Sequence, residues 1–279
     1  MLTIEQLLQR IDEVKAEIAQ YPKLGDVEQE RLLENFMINY TYNSNAIEGN
    51  TLTLSETAMV ILQGVTIDKK PLREHLEVVG HKDAFDYIVL LSKNILPLSE
   101  RVIRDIHNLV LIDKPDFRGV YRRIRVIIAG ASHTPPDPAQ VPNLMQDLLL
   151  AYENDTRHPI EKIAEFHVLF ERIHPFADGN GRTGRLILNL ELIKAGYQPV
   201  DIKFADRNKY IEALDVYEQE RNANAFIRMV GEYQLEELEN VLDILKERDA
   251  VVEYRMLNGQ EEDVCQSDRE RFLQERKES

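Results

Sequence analysis

Residues 174–185 read His-Pro-Phe-Ala-Asp-Gly-Asn-Gly-Arg-Thr-Gly-Arg, which gathers five kinds of chemistry into one loop. His174 titrates near neutrality, so its imidazole can accept a hydroxyl proton at physiological pH. Asp178 is a hard oxygen ligand. One carboxylate suffices for Mg2+ when phosphate oxygens and waters complete the octahedron. Gly179, Asn180 and Gly181 form a backbone cradle just before the apolar run Leu186-Ile187-Leu188-Asn189-Leu190, where the loop must enter a helix. Free N–H groups and the helix dipole make such a junction an anion site. Arg182 and Arg185 are three apart at the start of that helix and can face one ligand. Gly184 between them costs about 1 kcal/mol of helix propensity relative to Ala, a sacrifice that fits a need for close approach. An ordinary Asp-Gly-Asn-Gly turn needs only residues that tolerate positive φ. It leaves the histidine and both arginines unexplained. The loop reads as a site that moves a phosphoryl-linked group of a nucleotide.

The dodecapeptide resembles the signature of Fic-domain proteins, His-x-Phe-x-[Asp/Glu]-Gly-Asn-Gly-Arg-x-x-Arg, and matches it at every specified position. The resemblance implies a mainly α fold, a Fic-type helical bundle with a small β-hairpin flap. It implies transfer of AMP from ATP, with Mg2+, to a Ser, Thr or Tyr hydroxyl of a protein. Residue by residue, His174 would be the base, Asp178 the metal ligand, and Gly179, Asn180 and Gly181 the anion cradle. Arg182 and Arg185 would grip phosphates, and Phe176 would anchor the loop. Related kinases of the death-on-curing type alter the Gly-Asn-Gly portion, which this chain keeps, so nucleotidyl transfer is favoured over phosphoryl transfer. The family also places an aromatic that lines the adenine pocket near Tyr210. A core tyrosine is the competing reading there.

Upstream, Leu32, Leu33, Phe36, Met37 and Tyr40 fall on one helical face within residues 27–47. That run ends at Ser44-Asn45-Ala46-Ile47-Glu48-Gly49, with Gly49 as a natural terminator. A carboxylate in a last helical turn opposes the helix dipole, so Glu48 calls for a cation elsewhere. The segment resembles the Fic inhibitory helix, [Ser/Thr]-x-x-x-Glu-[Gly/Asn]. In that reading Ser44 and Glu48 are its motif residues, and Glu48 pairs with Arg185 to block productive placement of the ATP γ-phosphate. The β-branched run Arg125-Val126-Ile127-Ile128-Ala129-Gly130 gives the best strand signal, and His133-Thr134-Pro135-Pro136 forces extended backbone after it. By the resemblance, a flap near 118–134 would dock the target segment by strand addition. His167 sits on the apolar face of Ile160, Ile163, Ala164 and Phe170 and reads as a core residue.

These groups need a scaffold, and the remaining pattern is helical. Amphipathic or capped segments are expected near 3–20, 54–63 (Thr53 and Glu56 as a capping box, Gly64 as stop), 71–92, 99–111, 142–153, 160–173, 182–195, 207–220 and 222–247. The chain divides into an N-terminal helix (1–25), a helical segment carrying the inhibitory helix (26–95), a Fic core (96–247) and a charge-dense tail (248–279). The 279 residues are 43% hydrophobic, enough for a packed core, and the net charge of −15 speaks against nucleic acid as a partner. A single cysteine permits no intramolecular disulfide, and Met1-Leu2-Thr3-Ile4-Glu5 lacks a signal peptide's basic start, so a cytoplasmic setting without membrane association is expected. The partners expected are ATP and a protein target, and a homodimer remains open. Two rival functions also stay open: a hydrolase removing AMP through the same site, and a non-enzymatic module that senses ATP.

Overall fold

The computed structural model describes residues 2–94, 96–128 and 133–258, with 264, 266 and 268–270 of the tail. Among these the helices run α1 (Ile4–Ile18), α2 (Asp26–Ile47), α3 (Leu54–Gln63), α4 (Leu72–Ser92), α5 (Glu100–Val110), α6 (Val141–Asn154), α7 (Pro159–Ile173), α8 (Asn180–Lys194), α9 (Arg207–Glu220) and α10 (Asn224–Leu257). Local chemistry sets many ends. Thr3 and Thr53 open α1 and α3 through reciprocal capping boxes with Gln6 and Glu56, and Gly64 closes α3 in the left-handed region at φ 64°.

Helices α7 and α8 form a central antiparallel hairpin, and the 174–179 turn between them carries the chemistry. One apolar cluster lies on the α1, α9 and α10 side, with Leu7, Ile11, Val168, Leu188, Phe226 and Val230. The other lies on the α2, α4, α5 and α6 side, with Tyr40, Phe85, Ile106, Met145, Phe170, Phe176 and Leu186. This second cluster takes residues from both sides of the 95/96 division. Gly184 faces α7: a Cβ there would strike Glu171 Oε1 and lie 3.1 Å from the His167 ring. The close approach anticipated at this glycine is therefore helix against helix.

One expectation needs correction. The flap carries no strand among the described residues, and its centre, 129–132, lies outside them. The physical reason lies in the two arms. Pro135 and Pro136 remove two donors from the return arm, and the Pro136 carbonyl accepts from the Arg122 guanidinium at 2.7 Å rather than from a facing strand. For the charge-dense tail the sequence predicts a solvated helix or a partly disordered end. Helix α10 continues ten residues past 247 because no Gly or Pro stops it, and Arg248 ties it to the α1–α2 loop by donating to the carbonyls of Pro22 and Lys23.

Candidate active site

The turn between α7 and α8 is closed by its own side chains. Phe176 N–H donates to Asn180 Oδ1 and Asn180 Nδ2 donates to the Phe176 carbonyl, both at 2.9 Å. The Asn180 amide is thus spent as a brace, which leaves only its backbone N–H for the expected cradle. Phe176 is fully buried and stacks on His107 of α5, with centroids 3.6 Å apart and planes at 4°. His107 Nε2 faces the Asp178 carbonyl at 2.9 Å, and its Nδ1 accepts from Gly119 N–H at 2.9 Å. Since a carbonyl only accepts, Nε2 carries the ring proton. Burial holds this histidine neutral, its pKa down at about 4.

His174 caps α7 in the left-handed region, at φ 49°. A non-glycine residue pays for that conformation and keeps it only where neighbours impose it. Its Nδ1 lies 3.2 Å from the Glu171 carbonyl, so Nδ1 is the protonated nitrogen and the Nε2 lone pair is left to accept. Burial pushes the imidazole pKa to about 4, so it is neutral at pH 7.

Asp178 is partly exposed and ion-paired with Lys114 from the α5–α6 loop. Its Oδ1 also accepts from Gly179 N–H at 2.6 Å and stands 3.9 Å from Arg182 Nη2. Burial opposes the charge, but Lys114 and Arg182 outweigh it and hold the carboxyl below its ordinary range. Among the described residues no three His, Cys, Asp or Glu side chains gather to hold a metal. Asp178 alone therefore suits only a cation that brings phosphate and water ligands with it, and the Lys114 ammonium shows that its carboxylate accepts a positive partner there.

Arg185 lies in the first turns of α8 and is 1% exposed. Its Nε donates to Ser44 Oγ at 3.0 Å, and Nη2 donates to the Ser44 carbonyl and to Glu48 Oε1, both at 2.8 Å. Glu48 is the C-cap of α2 and its side chain is 41% exposed, so the carboxylate sits at the rim and the guanidinium beneath it. Gly181 makes room for it, since a Cβ there would collide with Glu48 Oε1. The structure thus brings Ser44, Glu48 and Arg185 together across 137 residues or more. Arg182 is also buried but held loosely: Asn45 Oδ1 is 3.5 Å away, Glu77 Oε1 4.0 Å, and Nε has no partner.

Tyr210, for which a place in the adenine pocket and a place in the core are the two competing readings, is buried. Its hydroxyl meets His167 Nε2 at 2.8 Å, and its ring lies 5.7 Å below the Arg185 guanidinium carbon, where it supports the arginine from inside the core. His167 is the core residue anticipated, its pKa driven by burial to about 3. Four site-adjacent residues carried no sequence signal for these contacts: His107, Lys114, Arg122 and Glu171. Glu171 has an unpartnered Oε1 and a pKa that burial lifts to about 8.

The chain is similar to known proteins in both sequence and fold. Residues 97–192 match the family model described as Fic/DOC. The chain is 36% identical over 235 residues to a protein adenylyltransferase Fic of Nematostella vectensis, covering 81% of this chain and 53% of that one. It is 33% identical to the protein of the same name from Culex quinquefasciatus, covering 82% and 46%. The chain thus spans about half the length of the curated relatives it matches. Among solved structures, residues 134–508 of Fic-1 from C. elegans superpose with a TM-score of 0.79 at 29% identity, covering 88% of this chain and 73% of that one.

Proposed function

The chain belongs to the Fic/DOC family, and on that premise we propose that it moves AMP from ATP to a protein hydroxyl and holds itself in check through Glu48. The observation that carries this reading is the buried Arg185 near the start of α8, paired with Glu48 at the end of α2 and next to the turn that bears His174 and Asp178. A guanidinium grips a phosphate bidentately when its fork is free. With Nη2 given to Glu48 and the Ser44 carbonyl and Nε to the Ser44 hydroxyl, only Nη1 of Arg185 is unpartnered, so neither two-nitrogen fork of the guanidinium is open to a γ-phosphate.

In the released state, Arg185 and Arg182 hold the phosphates, and the backbone N–H groups of Asn180 and Gly181 at the start of α8 meet their oxygens. Asp178 would hold Mg2+, and the ion, when bound, would neutralise phosphate charge and orient the phosphates. His174 Nε2 takes the proton of the target hydroxyl as its oxygen bonds to the α-phosphorus. The bond to the β-phosphate oxygen breaks and pyrophosphate leaves. The target segment lies along the 118–134 loop. The single cysteine favours a cytoplasmic setting, and among the described residues no helix is long and apolar enough to cross a membrane.

The test is incubation of the full chain, wild type and Glu48→Gly, with ATP labelled in the α- or the γ-phosphate, plus Mg2+. Label entering protein from the α-position only, and more in the variant, is expected. Transfer of γ-label, or none from either variant, contradicts the reading.

A further inference from the structure

Arg122 has no task in that scheme, yet its surroundings are specific. Its side chain is buried, and its hydrogen-bond acceptors are backbone carbonyls. Nε donates to His174 O at 2.8 Å, Nη2 to Pro136 O at 2.7 Å and Ile173 O at 3.3 Å, and Nη1 to Ile124 O at 3.2 Å. Its own N–H donates to Pro175 O at 2.9 Å. Burial disfavours its charge, a cost that filling the space with an apolar side chain would avoid.

The partners explain the expense. Ile173 and His174 end α7, where helix carbonyls lack intrahelical partners and carry the negative end of the dipole. Ile124 and Pro136 lie on the two arms of the α5–α6 loop, which have no ladder between them among the described residues. One planar fork therefore fixes the left-handed backbone at His174 and joins it to both arms. We propose that Arg122 is a positioning residue that sets the direction of the His174 imidazole and couples it to the loop along which the target lies.

This inference rests on the reading of His174 as base, and its test separates the two. Four charged or titratable groups face His174: Glu171 of its own helix, Glu48 at the end of α2, and Arg122 and His133 from the loop. In full-length protein with labelled histidine, the His174 resonance is assigned by its loss in His174→Ala. Its titration is then followed in wild type, Arg122→Met and Arg122→Lys. Removing the adjacent cation should raise the His174 midpoint in Arg122→Met. Lys keeps the charge but not the fork, so it should hold the midpoint near wild type while still displacing the imidazole chemical shift.

In a Glu48→Gly background both substitutions should lower kcat by about tenfold to a hundredfold, the scale set by small misplacements of a reacting group. KM for ATP should stay within about twofold, because Arg122 touches no phosphate-binding residue. If Arg122→Met does not fold, the Lys variant carries the kcat, KM and chemical-shift comparison alone. Unchanged His174 chemical shifts overturn the proposal, as does an equal loss of kcat and ATP affinity, which marks general damage. If His174→Ala itself transfers AMP normally, the base assignment fails, while the chemical shifts still decide whether Arg122 positions the ring.

Discussion

Replacing Glu171 with glutamine should flatten the dependence of stability on pH. The carboxyl is buried at the α7–α8 contact, and its Oε1 has no partner. Burial, and secondarily the charge of Glu48, lift its pKa from an ordinary 4.5 to about 8 against the pull of Arg185. The folded pKa therefore lies above the unfolded one. Its contribution is complete below about 4.5 and is lost as pH rises through about 8. Each pKa unit of difference is worth about 1.4 kcal/mol, so the loss across this window is on the order of a few kcal/mol. A chain of this size loses about 2–4 °C of melting temperature per kcal/mol. Between pH 5 and pH 9, wild type should thus fall by about 10 °C more than Glu171→Gln, whose amide cannot ionise. Thermal melts of both proteins in matched buffers test this, because every other titrating group is common to the two. Parallel curves would refute the buried, protonated carboxyl.

Other expectations follow from the same loop. Gly184→Ala gains about 1 kcal/mol of helix propensity but drives a methyl into Glu171 and His167, so chemical denaturation should show a net loss of about 1–2 kcal/mol. His174→Ala should lose transfer by roughly 10²–10⁴-fold while calorimetry finds ATP affinity nearly unchanged, because the imidazole grips no phosphate. Asp178→Ala should abolish stimulation by Mg2+ in a metal titration, and should leave Lys114 without its ion-pair partner.

The helices were legible because their ends are local. The Thr3 and Thr53 boxes and the Gly64 stop lie within a few residues of the backbone they cap, and the apolar spacing of 160–173 needs nothing distant. The signature loop was legible for a similar reason, since its residues are contiguous. His107, Lys114 and Arg122 were not, for they reach the loop across 71, 64 and 52 residues, and no spacing rule links them to it. Over the described part of the expected strand, 125–128, propensity yielded to context. β-Branched residues make a strand only when a facing backbone offers partners, and here Arg122 takes the carbonyls of Ile124 and Pro136. The sequence left two readings open at Tyr210, because its contacts with His167 and Phe226 come from other helices.

The central claim, that Glu48 restrains nucleotidyl transfer by occupying Arg185, is tested most directly by a double-mutant cycle on one assay. Incorporation of α-labelled ATP into protein is measured for wild type, Glu48→Gly, Arg185→Ala and the double variant. Glu48→Gly should raise the rate strongly and Arg185→Ala should lower it. The double variant should behave like Arg185→Ala alone, because both changes act through the one contact of 2.8 Å. A double variant as active as Glu48→Gly would contradict the claim, as would a Glu48→Gly protein that transfers no faster than wild type.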